Sequence, residues 1–119
     1  MRSRLPLLVD DHEDTLRTIA LLLRRAGYEV VTARRVQEAE PLLADAELLI
    51  SDIGLPDGDG WELMMRFKAR GGEAGIAISG FGQEEDFRRS AQPGFARHLV
   101  KPIDVDVLRA EMRALSGGA

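Results

Sequence analysis

The chain contains no cysteine in its 119 residues, which excludes disulfides, thiol redox chemistry and Cys-ligated zinc. It also lacks any apolar run approaching the roughly 18–20 residues that a membrane-spanning helix requires. Met1 to Pro6 do not form the apolar stretch of a signal peptide. The expectation is a cytoplasmic protein without membrane contact. Positive charge is in deficit: 16 Lys and Arg stand against 20 Asp and Glu, for a formal net charge of -4. Direct nucleic-acid binding usually needs a basic face, so that class is disfavoured. Internal repeats and low-complexity segments are missing as well.

What remains is a composition of 45% hydrophobic and 30% charged residues, that of a soluble globular protein. The length suits one domain, 1–119 with a core over about 5–115. Short apolar runs alternate with longer amphipathic stretches. Leu5 to Val9 is a continuous apolar run that suits a strand buried on both faces, and it stops abruptly at Asp10 and Asp11. Leu16, Ile19, Ala20 and Leu23 then share one helical face, and Ala26-Gly27 ends that helix. Glu29 to Thr32 reads as a second strand. Val36, Ala39, Leu42 and Leu43 have helical spacing, but Pro41 lies among them, so the spacing predicts a short or kinked helix. Leu48 to Ser51 is a third strand ending at Asp52, and Ile53 to Gly60 reads as a loop rich in Gly, Pro and Asp. Asp59 and Glu62 have the spacing of a capping box opening a helix with Leu63, Met64 and Phe67, closed by Gly71-Gly72. Ile76 to Ser79 is a fourth strand. A polar helix is expected from about Glu84, with Phe87 and Ala91 as its apolar contacts and Pro93-Gly94 as its end. His98 to Val100 is a fifth strand, and Val105, Leu108, Met112 and Leu115 mark a last helix with Asp104 as its N-cap.

Strict alternation of strands and helices implies an α/β fold, with a parallel sheet covered by helices on both faces. In such folds function gathers beyond the carboxyl ends of the strands. Asp10 and Asp11 follow the first strand, Asp52 the third, Ser79 closes the fourth and Lys101 follows the fifth. If those strands neighbour one another, three carboxylates, a hydroxyl and an ammonium meet in one cleft. Clustered carboxylates repel, and a divalent cation with oxygen ligands, Mg²⁺ or Mn²⁺, resolves the repulsion. A carboxylate nucleophile beside such an ion and a lysine is suited to phosphoryl transfer.

Each residue alone has a plainer reading: Asp10-Asp11 as a helix cap, Asp52 as a turn residue, Ser79 as an ordinary strand-end hydroxyl, Lys101 as a surface lysine. Those readings would have to hold jointly at four separate strand ends. His12 reads as an exposed first-turn residue rather than a metal ligand, His98 as a packing or switch residue, and Trp61, Met64 and Met65 as packing. Arg24-Arg25, Arg34-Arg35 and Arg88-Arg89 read as solvated faces.

Asp10-Asp11, Asp52, Ser79 and Lys101-Pro102 resemble the signature of two-component response-regulator receiver domains, and Ser51 to Gly60 resembles that family's phosphoacceptor loop. The likeness runs from about Leu5 to Leu115. It implies a CheY-like, flavodoxin-like (βα)5 three-layer sandwich, doubly wound, with strand order 2-1-3-4-5. It also implies phosphorylation of Asp52 by a histidine kinase or a histidine phosphotransfer domain, in a chain that catalyses its own phosphorylation and dephosphorylation. Asp11, Asp52 and the main-chain carbonyl of Gly54 would hold Mg²⁺, with Asp10 acting directly or through water and Mn²⁺ as a substitute ion. Ser79 and Lys101 would contact the phosphoryl group, with a cis peptide before Pro102. Ser79 and His98 would form the switch, where relatives commonly carry tyrosine or phenylalanine in place of His98. The output surface would be the fourth helix, fifth strand and last helix, which would also serve a homodimer.

The expectation is a stand-alone receiver or one domain of a larger protein. The segments around Asp52 and His98 to Pro102 are similar to receivers of hybrid sensor histidine kinases. Three other classes fit the residues less well. A haloacid-dehalogenase-like phosphatase needs an acid two residues after its nucleophile, where Gly54 stands. A flavodoxin-like FMN carrier needs a phosphate-binding first loop, where Asp10-Asp11-His12-Glu13-Asp14 would repel one. A phosphorylation-independent receiver-like interaction module typically lacks an acid, the acceptor or the lysine, all of which are present here.

Overall fold

Leu7, Leu8 and Val9 are all buried, and they point to opposite sides of a sheet, as alternate strand residues must. Leu7 and Val9 join one apolar cluster with Leu49, Leu63, Met64, Phe67 and Ala77. Leu8 joins another with Leu16, Ile19, Leu23, Ile50, Ile76, Ile78 and Leu108. Those two clusters, one on each face, are why the central strands read as unbroken apolar runs.

The computed structural model describes residues 5–80 and 94–115. Its main sheet comprises β1 (Pro6–Val9), β2 (Val31–Ala33), β3 (Leu48–Asp52), β4 (Ala74–Ser79) and β5 (Arg97–Val100). All pairings are parallel, in the order β2-β1-β3-β4-β5, which is the 2-1-3-4-5 order that the family resemblance implied. Between the strands lie α1 (Glu13–Arg25), α2 (Val36–Ala39) running into a 3-10 helix (Glu40–Asp45), and α3 (Gly60–Ala69), with a C-terminal helix (Val105–Leu115) after β5. The helix expected from about Glu84, with Phe87 and Ala91, lies outside the described residues.

Pro41 has the predicted effect: α2 stops after one turn and the chain tightens into the 3-10 helix that carries Pro41 near its start. The second strand differs from expectation, beginning at Val31 rather than Glu29. As an edge strand it pairs only with β1, and that register starts at Leu7 opposite Val31. Ile53 to Gly60 is also more ordered than a loop. It holds a small antiparallel hairpin, Gly54–Leu55 against Gly58–Asp59.

Two features tie this hairpin to its surroundings. The Asp57 carboxylate accepts from the amides of Val36 at 2.7 Å and Gln37 at 2.9 Å, satisfying otherwise orphaned donors at the start of α2. At the other end, Asp59 accepts from the Glu62 amide at 2.8 Å, the N-cap half of the expected box, while the Glu62 carboxylate pairs with Arg66. Gly60 follows, where a Cβ would lie 2.5 Å from the Asp52 carbonyl oxygen. Only glycine lets α3 begin pressed against the backbone of Asp52. Asp104 caps the C-terminal helix, accepting from the Asp106 amide at 2.9 Å.

Candidate functional site

Each candidate side chain arrives because a strand ends beneath it. Asp10 follows β1, where its amide still bonds the Ala33 carbonyl at 3.1 Å. Asp52 is the last residue of β3, paired with Ile78, and the Ile53 amide bonds the Ile78 carbonyl at 2.9 Å. Lys101 follows β5, its amide bonded to the Ser79 carbonyl at 2.8 Å. Because β1, β3, β4 and β5 are consecutive neighbours, one edge receives them all.

The Lys101 ammonium lies 3.0 Å from Asp52 Oδ2 and 3.0 Å from Asp10 Oδ2. It donates to Asp52 Oδ2 and, at 3.2 Å, to Asp10 Oδ1. Asp10 is fully buried and Asp52 is 5% exposed. Burial raises the Asp52 carboxyl above its ordinary pKa, the Asp10 charge adds to that, and Lys101 and the Gly54 amide oppose it. Burial alone would lower the Lys101 pKa, but its bonds to Asp52 and Asp10 outweigh that and raise it. One ammonium therefore serves more carboxylate charge than it can neutralise. Asp10 Oδ2 and Asp11 Oδ1 are buried without a hydrogen-bond partner among the described residues. The short Lys101 to Asp10 Oδ2 approach is thus an ion pair that lacks hydrogen-bond geometry.

These carboxylates fit a hard divalent cation. Ligand oxygens of Asp10, Asp11 and Asp52, together with a His12 nitrogen, lie within 4.8 Å of one another. Oxygens left unbonded inside a protein are costly, and a cation is the partner that satisfies several at once. Gly54, the expected carbonyl ligand, opens the hairpin two residues after Asp52.

His12 departs from expectation. It is exposed, as predicted, and stands at the N-cap of α1 rather than within its first turn. Its Nδ1, however, turns into the cleft, 3.2 Å from Asp10 Oδ1, 3.3 Å from Asp11 Oδ1 and 3.1 Å from the Lys101 ammonium. The only local signal for this was its place directly after the acid pair. The partners of Asp57 stand 20 and 21 residues away in sequence, so nothing local marks its role.

Ser79 and His98 are joined directly: Ser79 Oγ and His98 Nε2 lie 2.9 Å apart. Ser79 is fully buried, and His98 stands opposite Ala77 on the neighbouring strand. Lys101-Pro102 is a cis peptide, as expected from the resemblance. Of the elements expected to form the output surface, β5 and the C-terminal helix are described, and both carry an exposed valine, Val100 and Val107. No helix among the described residues is long and apolar enough to cross a membrane.

Residues 7–113 match the family described as the response regulator receiver domain. Among curated proteins, the chain is 31% identical over 112 residues to the response regulator protein PilR of Pseudomonas aeruginosa, covering 92% of this chain and 25% of that protein. The chain thus spans about a quarter of that relative. Among solved structures, it resembles a CheY-like response regulator receiver domain protein from Methanospirillum hungatei JF-1 (TM-score 0.85, 28% identity, 94% of this chain and 92% of that one). A second is the signal receiver domain of a signal transduction histidine kinase from Syntrophus aciditrophicus (TM-score 0.84, 25% identity, 98% of this chain and 92% of that one).

Proposed function

The chain belongs to the response regulator receiver domain family, and from that premise we propose that Asp52 accepts a phosphoryl group from the phosphohistidine of a histidine kinase or phosphotransfer domain. The observation that carries this reading is the Asp52 carboxylate. It is almost wholly buried at the edge of the sheet, held 3.0 Å from the Lys101 ammonium and crowded by the Asp10 and Asp11 carboxylates.

An Asp52 oxygen attacks phosphorus, an O–P bond forms, and the P–N bond to the donor histidine breaks with its electron pair leaving on nitrogen. Lys101 pairs with the charge carried into the cleft by the phosphoryl oxygens. Bound Mg²⁺, held by Asp10, Asp11, Asp52 and the Gly54 carbonyl, would supply charge neutralisation and orientation. Asp57 keeps the Gly54 hairpin in register with α2, and Gly60 keeps the Asp52 backbone against α3. Ser79 turning from His98 toward the phosphoryl group would carry the state of Asp52 to β5 and the adjoining output surface. Resemblance to the receiver of a histidine kinase supports a hybrid-kinase setting for this same chemistry.

Acetyl phosphate with Mg²⁺ should add one phosphate to the intact protein by mass spectrometry, and nothing to Asp52→Asn. A chain that gains no phosphate, or an Asp52→Asn variant that gains as much, would overturn the proposal and leave a phosphorylation-independent interaction module.

A further inference from the structure

Nδ1 of His12 is placed for more than a surface ring. Nδ1 meets the Lys101 ammonium at 3.1 Å, which can only donate, and Asp10 Oδ1 at 3.2 Å, which can only accept, so its role follows the tautomer. With the ring proton on Nε2, the Nδ1 lone pair points into the carboxylate cluster. The same Nδ1 is 3.2 Å from Asp10 Oδ1, 3.3 Å from Asp11 Oδ1 and 4.0 Å from Asp52 Oδ2. Four acceptor atoms this close repel unless a cation sits among them. Lys101 partly fills that need, but leaves Asp10 Oδ2 and Asp11 Oδ1 buried without hydrogen bonds. For metal–ligand bonds of about 2.0–2.2 Å, neighbouring donors of one ion stand about 3.0–3.6 Å apart and opposite donors about 4.2 Å apart. The distances from Nδ1 fall on that scale.

We propose that His12 adds a nitrogen donor to the cleft, so that Zn²⁺ or Ni²⁺ binds there through His12, Asp10, Asp11 and Asp52 in competition with Mg²⁺. The inference rests on the carboxylates forming the metal cleft proposed above. Mg²⁺ takes oxygen ligands and gains little from an imidazole, whereas imidazole suits Zn²⁺ and Ni²⁺. An ion held this way takes the place of Mg²⁺ beside Asp52. His12 thereby sets which metals the domain tolerates.

Zn²⁺ and Ni²⁺ bind most N/O sites more tightly than Mg²⁺ does, so the informative quantity is the change on removing His12. Calorimetry with each metal salt alone compares the tag-free chain with His12→Phe. Zn²⁺ and Ni²⁺ affinities should fall at least about tenfold, while Mg²⁺ affinity holds within about twofold. The chain has two histidines, so nitrogen NMR reads the site directly. Substoichiometric Zn²⁺ should move the His12 Nδ1 resonance and leave His98 unmoved. Unchanged Zn²⁺ and Ni²⁺ affinity, an equal loss for Mg²⁺, or a shift at His98 instead would each overturn the proposal. If His12→Phe still takes phosphate from acetyl phosphate and Mg²⁺ while its Zn²⁺ affinity is unchanged, this inference fails alone. If neither protein binds Mg²⁺ nor takes phosphate, the phosphoacceptor reading fails, and the His12 resonance still decides the nitrogen donor.

Discussion

Glu40, Glu62, Arg66 and Arg70 form one charged cluster, between α3 and the 3-10 helix before β3. Asp10, Asp11, Asp52 and Lys101 form another, at the carboxyl edge of the sheet. Both set carboxylates against cationic side chains at similar distances, two Glu with two Arg in the first and three Asp with one Lys in the second. On the outer ladder each carboxylate finds a guanidinium, with Glu40 held by Arg66 at 2.6 Å and by Arg70 at 2.8 Å. Its pKa moves down, chiefly through the Arg66 bond. In the cleft, burial moves the Asp52 carboxyl up instead, and oxygens go unbonded. Exposed pairs lean on water and contribute little. Buried charge without enough countercharge is costly, and such cost persists where function needs it.

Removing Lys101 should separate the clusters most widely. Lys101→Met leaves buried carboxylates without their cation, and should destabilise the metal-free chain by about 3 kcal/mol in urea denaturation. Added Mg²⁺ should restore part of that loss. A variant as stable as the parent without metal would mean the cleft is better hydrated than its burial implies.

Asp11→Ala should come next, lowering Mg²⁺ affinity by about tenfold or more in calorimetry. Unchanged affinity would remove Asp11 from the ligand set.

A smaller effect should appear in pH dependence. A carboxyl whose folded pKa is raised binds its proton more tightly when folded. Its stabilising contribution is therefore full below the ordinary value and is lost as pH rises through the raised one. Metal-free stability should fall across that window, and Asp52→Asn should flatten the slope. Lys101, also raised, contributes stability that is complete below its ordinary pKa and lost at more alkaline pH. A slope unchanged in Asp52→Asn would assign it to other groups.

Least of all, Arg66→Ala should leave the urea midpoint almost unmoved, although it breaks the shortest ion pairs of the outer ladder. A large shift would show that the ladder holds the 3-10 helix in place.

Much of this was legible in the chain itself. Apolar runs ending in Asp10, Asp52, Ser79 and Lys101 located both the central strands and the residues at their ends, because burial on two faces forbids polar residues until the strand leaves the core. Pro41 likewise announced the break in the second helix. The hairpin at Gly54 to Asp59 was not legible, since four short residues carry no periodicity and their anchor is Asp57 reaching Val36 and Gln37 across the fold. His12 was undervalued for a related reason: its exposure was readable, but not which way its ring turned.

Sequence by itself determined the order of elements, the two-faced core and which carboxylates stand at strand ends, all consequences of local pattern and burial. Tertiary structure alone decided that Lys101 bridges Asp10 and Asp52, that Ser79 meets His98, and that His12 faces the acids. Those contacts join residues far apart in sequence, or depend on a side-chain direction, and they arise only once the strands lie side by side.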